Sequence, residues 1–152
     1  MTTEELLKTA IRFEERSFDF YQRLKETVRD SMSRNTLDYL SQEELKHKDF
    51  LEQYLRGNIT GSTLRLTDPH DSKIVEAFKI PSINPDLELK DAFLVAAERE
   101  KESHEFYSKL ADLHPDGRVK DLLKQLAQEE LAHKEKVEYL YVNAAFPQTA
   151  GG

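Results

Sequence analysis

The feature that most constrains the fold is a seven-residue pattern that occurs twice, 86 positions apart. Residues 42–48 and 128–134 both read Gln-Glu-Glu-Leu-x-His-Lys. In each copy a Glu precedes a His by three residues, a step that returns to the same face of an α-helix. Both pairs fall on the apolar stripe of their helix, where carboxylates and imidazoles are costly unless something neutralises them. The repeat therefore predicts a metal site inside a helical bundle.

Apolar residues recur with helical spacing in four segments, which predicts an all-α chain with four helices. Thr3 is the expected N-cap of the first helix, and Gly57 is expected to end the second. The third is closed by the breaker residues 114–117. The expected bounds are about Thr3–Arg29, Ser33–Arg56, Pro85 or Asp86 to residue 113, and Arg118–Val142.

The 86-residue repeat extends into the first and third helices, so the chain reads as two related helical hairpins. Short turns near Ser31 and Pro115 make each hairpin antiparallel. The linker 57–86 is long enough to cross the bundle and to leave helices two and three parallel, and it contains one short helix around residues 72–78. We expect one four-helix domain over residues 1–146 and a tail over 147–152. The aligned pairs are Ala10 and Ala96, Glu14 and Glu100, Ser17 and Ser103, Phe20 and Phe106, Tyr21 and Tyr107, and Leu24 and Leu110.

Six candidate ligands reach one layer of the bundle, about 20–25 Å from the hairpin turns at 1.5 Å per residue. Four carboxylates balance two divalent cations, and an oxygen-rich set with two imidazoles suits iron or manganese, with zinc as a possible occupant. Glu44 and Glu130 are the natural bridges between the metals. The alternative is a relic of duplication whose Glu and His point outward. The six are Glu14, Glu44, His47, Glu100, Glu130 and His133.

Tyr21 and Tyr107 lie two helical turns after Glu14 and Glu100 on the same face. Each is placed to donate a hydrogen bond to a metal-bound carboxylate, and the alternative is an aromatic ring that only fills the core. His104, one turn beyond Glu100, is expected to be packed rather than to approach the metals. The remaining histidines, at positions 70 and 114, have no partners that suggest chemistry.

Composition excludes several other classes. The chain lacks Cys, which rules out disulfides, thiolate metal sites and a Cys nucleophile. A net charge of −7 without a basic stripe argues against nucleic acid as the main partner. No apolar run has transmembrane length and the first residues do not resemble a secretion signal, so no membrane association and a cytoplasmic location are expected.

These residues together resemble the ferritin-like superfamily and, within it, the rubrerythrin group. The resemblance rests on a Glu seven residues before a Tyr in helices one and three, and on Glu-Glu-Leu-x-His-Lys in helices two and four. It implies a ferritin-like four-helix bundle in which the six candidates match the di-iron ligands of the family. Rubrerythrins are known for reducing hydrogen peroxide at a non-haem di-iron centre, and their relatives for oxidising and storing ferrous iron.

The chain departs from the family pattern in two respects. Typical rubrerythrins add a rubredoxin module with four Cys, so here electrons are expected from a separate donor, such as a rubredoxin-like protein, or from a small reductant. Many also carry an extra Glu one turn after the helix-three ligand, where this chain has Ser103. That difference questions a redox-linked exchange of ligands at one iron.

Three classes of function follow from the pattern and the resemblance. The leading one is a di-iron oxidoreductase that acts on hydrogen peroxide or dioxygen and serves peroxide detoxification. The second is a ferroxidase, iron-storage or iron-handling protein, and the third is a bundle with structural metals only. A homodimer is expected from the resemblance, and the long linker would allow hairpins to be exchanged between chains.

Overall fold

The part of the chain that the structure describes contains four long α-helices. The computed structural model describes residues 2–57, 71–84 and 87–146. Within those ranges there is no β-strand, which confirms the all-α prediction and is consistent with a ferritin-like helical bundle. None of the described helices combines the length and the apolar character that a membrane span requires. The helices are α1 (Thr3–Thr27), α2 (Ser31–Leu55), α3 (Leu89–Leu113) and α4 (Arg118–Ala145), and a short 3-10 helix covers Val75–Ala77.

The starts of the first two helices follow from local capping. Thr2 and Glu5 form a reciprocal capping box, in which the Thr2 hydroxyl accepts from the Glu5 amide at 3.1 Å and the Glu5 carboxylate accepts from the Thr2 amide at 2.9 Å. Thr2, rather than the predicted Thr3, is therefore the N-cap of α1. Asp30 caps α2 by accepting from the Ser33 amide at 3.0 Å, so α2 begins before the predicted Ser33.

The other bounds differ from the predicted ones by a few residues. Both α1 and α2 end slightly earlier than predicted. α3 begins at Leu89, while the predicted start at Pro85 or Asp86 falls outside the described residues. α4 continues past the predicted Val142 to Ala145, because residues 143–145 include two alanines, the best helix former.

Ion pairs show how the first two helices run relative to each other. Lys25 near the end of α1 pairs with Asp38 near the start of α2 at 3.1 Å, and Lys48 near the end of α2 pairs with Glu15 in α1 at 3.3 Å. These two helices are therefore antiparallel. α3 and α4 are the other extensively packed pair.

Contacts between the hairpins set the direction of the third helix. The ring of Phe13 in α1 stacks on Phe106 in α3, with centroids 4.0 Å apart. Tyr21, two turns later in α1, contacts Glu100, nearly two turns earlier in α3. α1 is thus antiparallel to α3 as well as to α2, so α2 and α3 run in the same direction.

Two apolar clusters fill the bundle on either side of a polar layer. Both contain side chains from all four helices, and the six candidate ligands lie at intermediate positions along the same helices. Burying apolar area contributes about 25 cal/mol per Å², so these clusters supply the stability that a buried acidic layer does not. The first cluster includes Leu7, Phe13, Leu51, Leu110 and Leu123, and the second includes Leu24, Leu40, Phe93, Ala96 and Val137.

The described part of the linker lies against α4. The Ser72 hydroxyl and amide donate to Glu135, and the Val75 amide donates to Glu138 at 2.6 Å. The predicted short helix around residues 72–78 corresponds to the 3-10 turn Val75–Ala77. Linker residues 58–70 and the tail 147–152 lie outside the described residues, so the division into a domain over 1–146 and a tail stays a prediction.

Candidate metal centre

The six predicted ligands come together in the polar layer between the two apolar clusters. α1 and α3 each contribute one Glu, while α2 and α4 each contribute a Glu and a His one helical turn apart. All four carboxylates are fully buried, His47 is 2% exposed and His133 is 8% exposed. This burial contradicts the alternative in which the repeated Glu and His point to solvent.

The six side chains form two overlapping groups, and in each the potential ligand atoms lie within 4.8 Å of one another. Glu44 and Glu130 belong to both groups, which is the arrangement expected of bridging carboxylates. Each group adds one further Glu and one His. The first group is Glu14, Glu44, His47 and Glu130, and the second is Glu44, Glu100, Glu130 and His133.

Polar atoms without a hydrogen-bond partner show that these residues fit a cation. A buried carboxylate oxygen without a donor costs several kcal/mol, and four neighbouring carboxylates also repel one another. Oxygen and imidazole nitrogen ligands suit iron or manganese, and the same atoms would be satisfied by coordination. Among the described residues the unpartnered buried atoms are Glu14 Oε2, Glu44 Oε1 and Oε2, Glu100 Oε2, Glu130 Oε2 and His133 Nδ1.

Both imidazole rings turn Nδ1 toward the carboxylates. His47 Nδ1 lies 2.9 Å from Glu130 Oε1 and 3.5 Å from Glu14 Oε1. His133 Nδ1 lies 3.6 Å from an oxygen each of Glu44, Glu100 and Glu130. The two rings are nearly parallel, with centroids 5.9 Å apart. A cation in either group would therefore meet an Nδ1 atom and several carboxylate oxygens.

The carboxylates perturb one another. Burial and the charge of Glu14 raise the pKa of Glu44 well above its usual value. Burial and the charge of Glu130 raise the pKa of Glu100 to about 8. Burial and Glu44 also act to raise the pKa of Glu130, but its close contacts with Glu100 and with both histidines hold it below its usual value. Without metal, the layer therefore retains protons that coordination would displace.

Burial and the neighbouring carboxylates act on the pKa of the two histidines in opposite directions, and the carboxylates have the larger effect. Burial alone would lower the pKa of His47, but the charge of Glu14 and hydrogen bonds to Glu129 and Glu130 raise it well above its usual value. The pKa of His133 is raised in the same way against burial, chiefly by Glu100. Two cationic rings thus offset part of the carboxylate charge in the layer.

Each predicted tyrosine donates to the Glu of the opposite helix. The Tyr21 hydroxyl in α1 donates to Glu100 Oε1 in α3 at 2.5 Å, and the Tyr107 hydroxyl in α3 donates to Glu14 in α1. Burial and the nearby carboxylates raise the pKa of both tyrosines well above its usual value, so both hydroxyls stay protonated. The structure thus brings the tyrosines to the terminal carboxylates.

Sequence reasoning missed Glu129, which lies 3.0 Å from His47 Nε2. Its only sequence signal is its place in the repeated motif, directly before Glu130. Its counterpart Glu43 in the first copy pairs with Lys46 at 3.4 Å instead.

The other polar residues considered from sequence have structural contacts. His104 Nδ1 lies 2.7 Å from the carbonyl of Ala127, which agrees with the packed role expected for it. Ser103 is buried and donates to the carbonyl of Arg99 at 3.0 Å. His114 Nε2 lies 3.2 Å from the Thr3 hydroxyl, and the histidine at position 70 is outside the described residues.

Comparisons with known proteins agree with this geometry. A protein-family model described as Rubrerythrin matches residues 5–141. No curated protein sequence matches the chain. Among solved structures, a hypothetical protein from Pyrococcus furiosus is similar with a TM-score of 0.66 and 24% identity, over 98% of this chain and 94% of that one. Likeness at this identity shows the fold alone.

Proposed function

The chain belongs to the rubrerythrin family, and from that premise we propose that it is a non-haem di-iron oxidoreductase that reduces hydrogen peroxide or dioxygen. The observation that carries the proposal is the pair of overlapping ligand groups that share Glu44 and Glu130. Two adjacent sites with common carboxylates are the arrangement that a two-metal reaction requires.

The candidate ligands would hold the two ions in two ways, either shared between both ions or bound to one of them. Glu44 and Glu130 would be shared by both metal positions. Glu14 and His47 would complete one position, and Glu100 and His133 would complete the other. Two iron ions held in this way would supply two electrons to a substrate with two adjacent oxygens. Manganese and zinc suit the same ligands, so the donor set alone does not choose the metal.

The surrounding residues orient the ligands and keep water out. Tyr21 and Tyr107 each donate to a terminal carboxylate, which fixes the rotamer of Glu100 and Glu14 and leaves their other oxygen for a cation. Both tyrosine rings are fully buried against the apolar clusters. The low-dielectric surroundings strengthen every charge interaction inside the layer.

The stoichiometry of the reaction requires an external partner. Reducing one molecule of hydrogen peroxide to two molecules of water consumes two electrons and two protons. The chain has no Cys and hence no rubredoxin-type iron site of its own. A separate electron donor of rubredoxin-like type would return the two electrons after each turnover, and a homodimer is the assembly we propose for the oxidoreductase.

We extend the proposal to the architecture. The chain would be a ferritin-like bundle of two repeated antiparallel hairpins, and the linker 57–86 would cross the length of the bundle between them. The shared direction of α2 and α3 supports this topology, because two consecutive parallel helices need a connection about as long as a helix. The paired ligand positions in both hairpins support the repeat.

The experiment that tests the proposed activity is stopped-flow oxidation of the protein loaded with two ferrous ions. Mixing with hydrogen peroxide should oxidise the centre at least ten-fold faster than mixing with dioxygen (roughly 1.4 kcal/mol in barrier). Glu130→Ala, loaded in the same way, is the control for iron oxidised outside the centre.

The alternative activities give different results in that experiment. Dioxygen that oxidises the centre as fast as peroxide, together with repeated oxidation of added ferrous iron, would favour the ferroxidase alternative. Metal binding without oxidation by either substrate would leave only a structural role for the ions.

A further inference from the structure

We propose that Glu129 is a positioning residue that holds His47 so that its Nδ1 atom, and not Nε2, faces the metal position. The inference rests on the proposed metal centre and assigns a role to a residue outside the six ligand candidates. It also predicts that the two metal positions of the centre differ in affinity.

Two consecutive residues of α4 hold the two nitrogens of one ring. Glu129 Oε2 lies 3.0 Å from His47 Nε2, and Glu130 Oε1 lies 2.9 Å from His47 Nδ1. The His47 side chain is only 3% exposed and that of Glu129 is 13% exposed, so solvent competes weakly for the contact. The His47 ring, which belongs to α2, is therefore held at both nitrogens by residues of α4.

The contact with Glu129 selects one tautomer when a cation replaces the Nδ1 proton. A carboxylate only accepts hydrogen bonds, so His47 Nε2 must carry the proton that it donates to Glu129. Nδ1 then keeps its lone pair for the cation. A carboxylate behind a ligating imidazole orients the ring and raises its basicity, and its loss typically weakens metal binding by about 10–100-fold.

The second copy of the motif is built differently. Glu43 is the repeat counterpart of Glu129, but it accepts from Tyr39 and pairs with Lys46 at 3.4 Å. Glu43 lies close enough to His133 for an electrostatic interaction. The described contacts of the His133 ring, however, join its Nδ1 atom to the carboxylates of the layer. The first position is therefore preorganised by a contact that holds its ring from behind, and we expect it to bind metal first and more tightly.

Glu43 supplies a matched control for a metal titration. Metal-free wild-type protein, Glu129→Ala, Glu129→Gln and Glu43→Ala are titrated with Zn²⁺ against a competing chelator. Glu129→Ala should weaken the tighter of two binding steps by about 10–100-fold. Glu129→Gln, whose amide oxygen still accepts from Nε2, should recover part of that loss. Glu43→Ala should leave the tighter step within about three-fold of wild type.

A second measurement reads the geometry without activity. In Zn²⁺-loaded protein labelled with ¹⁵N at histidine, His47 should show a metal-bound Nδ1 and an Nε2–H proton protected from exchange with water. The protection should disappear in Glu129→Ala and persist in part in Glu129→Gln, whose amide oxygen still accepts from Nε2.

The outcomes separate the two proposals. Equal affinities for Glu129→Ala and Glu43→Ala, or coordination of Zn²⁺ through His47 Nε2, would overturn the role of Glu129 and leave the metal centre standing. Wild-type protein that binds no Zn²⁺ in the layer would overturn both the role of Glu129 and the proposed function.

Discussion

The two halves of the candidate metal centre share their ligand types but differ in how the surrounding protein holds them. Near His47, the ring is fixed at both nitrogens, by Glu130 and Glu129. Near His133, the Nδ1 atom has no hydrogen-bond partner and the ring is slightly more exposed. The two copies of the motif thus share the candidate ligand types but differ in the contacts that hold them.

A second difference concerns the lysine that ends each motif. Lys48 is 30% exposed and pairs with Glu15 and Glu52 on the bundle surface. Lys134 is 1% exposed, and its ammonium contacts Asp71 at 2.6 Å and also Glu76 and Glu138. Two of these carboxylates belong to the linker, so the ion pairs of Lys134 hold the described part of the linker against α4.

The interface between α1 and α3 differs in the same way. On one side Phe13 stacks on Phe106, whereas the repeat counterpart of Phe13 is Arg99. The Arg99 guanidinium lies 4.5 Å from the Phe13 ring and 5.8 Å from the Phe20 ring, and it donates to the buried Ser17 hydroxyl at 2.6 Å. The candidate ligands and the tyrosines that donate to them are thus the same in both copies, whereas these packing positions differ.

The largest expected effect is that of removing a carboxylate shared by both halves. Glu130→Ala should abolish activity and empty at least one metal position. In metal-loaded protein it should lower the free energy of unfolding by about 3–5 kcal/mol, and in metal-free protein by less, because no metal–ligand contact is lost there. Metal analysis and urea unfolding of both forms measure this. Equal losses in the two forms would contradict the bridging assignment.

The metal-free and the metal-loaded protein should differ in how their stability depends on pH. The raised pKa values of Glu44 and Glu100, the latter about 8, mean that the folded metal-free protein holds protons that the unfolded chain releases. Its stability should therefore be highest near pH 5 and decline toward pH 8, as the raised pKa values of both histidines also require. The decline should be on the order of 3 kcal/mol, since one pKa unit corresponds to about 1.4 kcal/mol.

The metal-loaded form should show the opposite slope, because binding requires deprotonated ligands and strengthens as pH rises. Thermal unfolding of both forms between about pH 5 and pH 8 tests both expected pH dependences. Parallel curves for the two forms would argue against coordination by these groups.

The two lysines offer a matched pair for the contrast outside the ligand layer. Lys134→Met should destabilise the fold by about 2–4 kcal/mol, because it leaves Glu138 and the linker carboxylates without their cation. Lys48→Met should cost less than about 1 kcal/mol, as expected for a surface ion pair. Urea unfolding compares them, and similar values for both would show that the linker contact adds little stability.

The smallest expected effect comes from removing the tyrosine hydroxyl that supports each half of the candidate metal centre. Tyr107→Phe removes the hydrogen bond to Glu14 and Tyr21→Phe the one to Glu100, each at a cost of about 1–2 kcal/mol. Each change should weaken Zn²⁺ binding mainly in its own half, so Tyr107→Phe should affect the tighter binding step. Titration of the two variants decides this, and identical curves would argue that the two positions are equivalent.

Several parts of the structure could be predicted from sequence because they depend on spacing along one helix. The three-residue step of Glu44 and His47 and the apolar stripe around them predict burial on one face, and both residues are buried. Helix starts were less accurate, because a cap depends on one side chain: Thr2 and Asp30 act where Thr3 and Ser33 were expected to begin the helices.

Helical periodicity is thus enough to predict the all-α fold, the four described helices and the buried face of each, since a period of 3.6 residues is a local property. Which groups meet across helices follows from the packing of the bundle instead: Glu129 with His47, Tyr21 with Glu100, and Lys134 with Asp71. Those contacts depend on the axial offset and rotation of packed helices. The packing of the whole core sets these quantities, and no short stretch of sequence does.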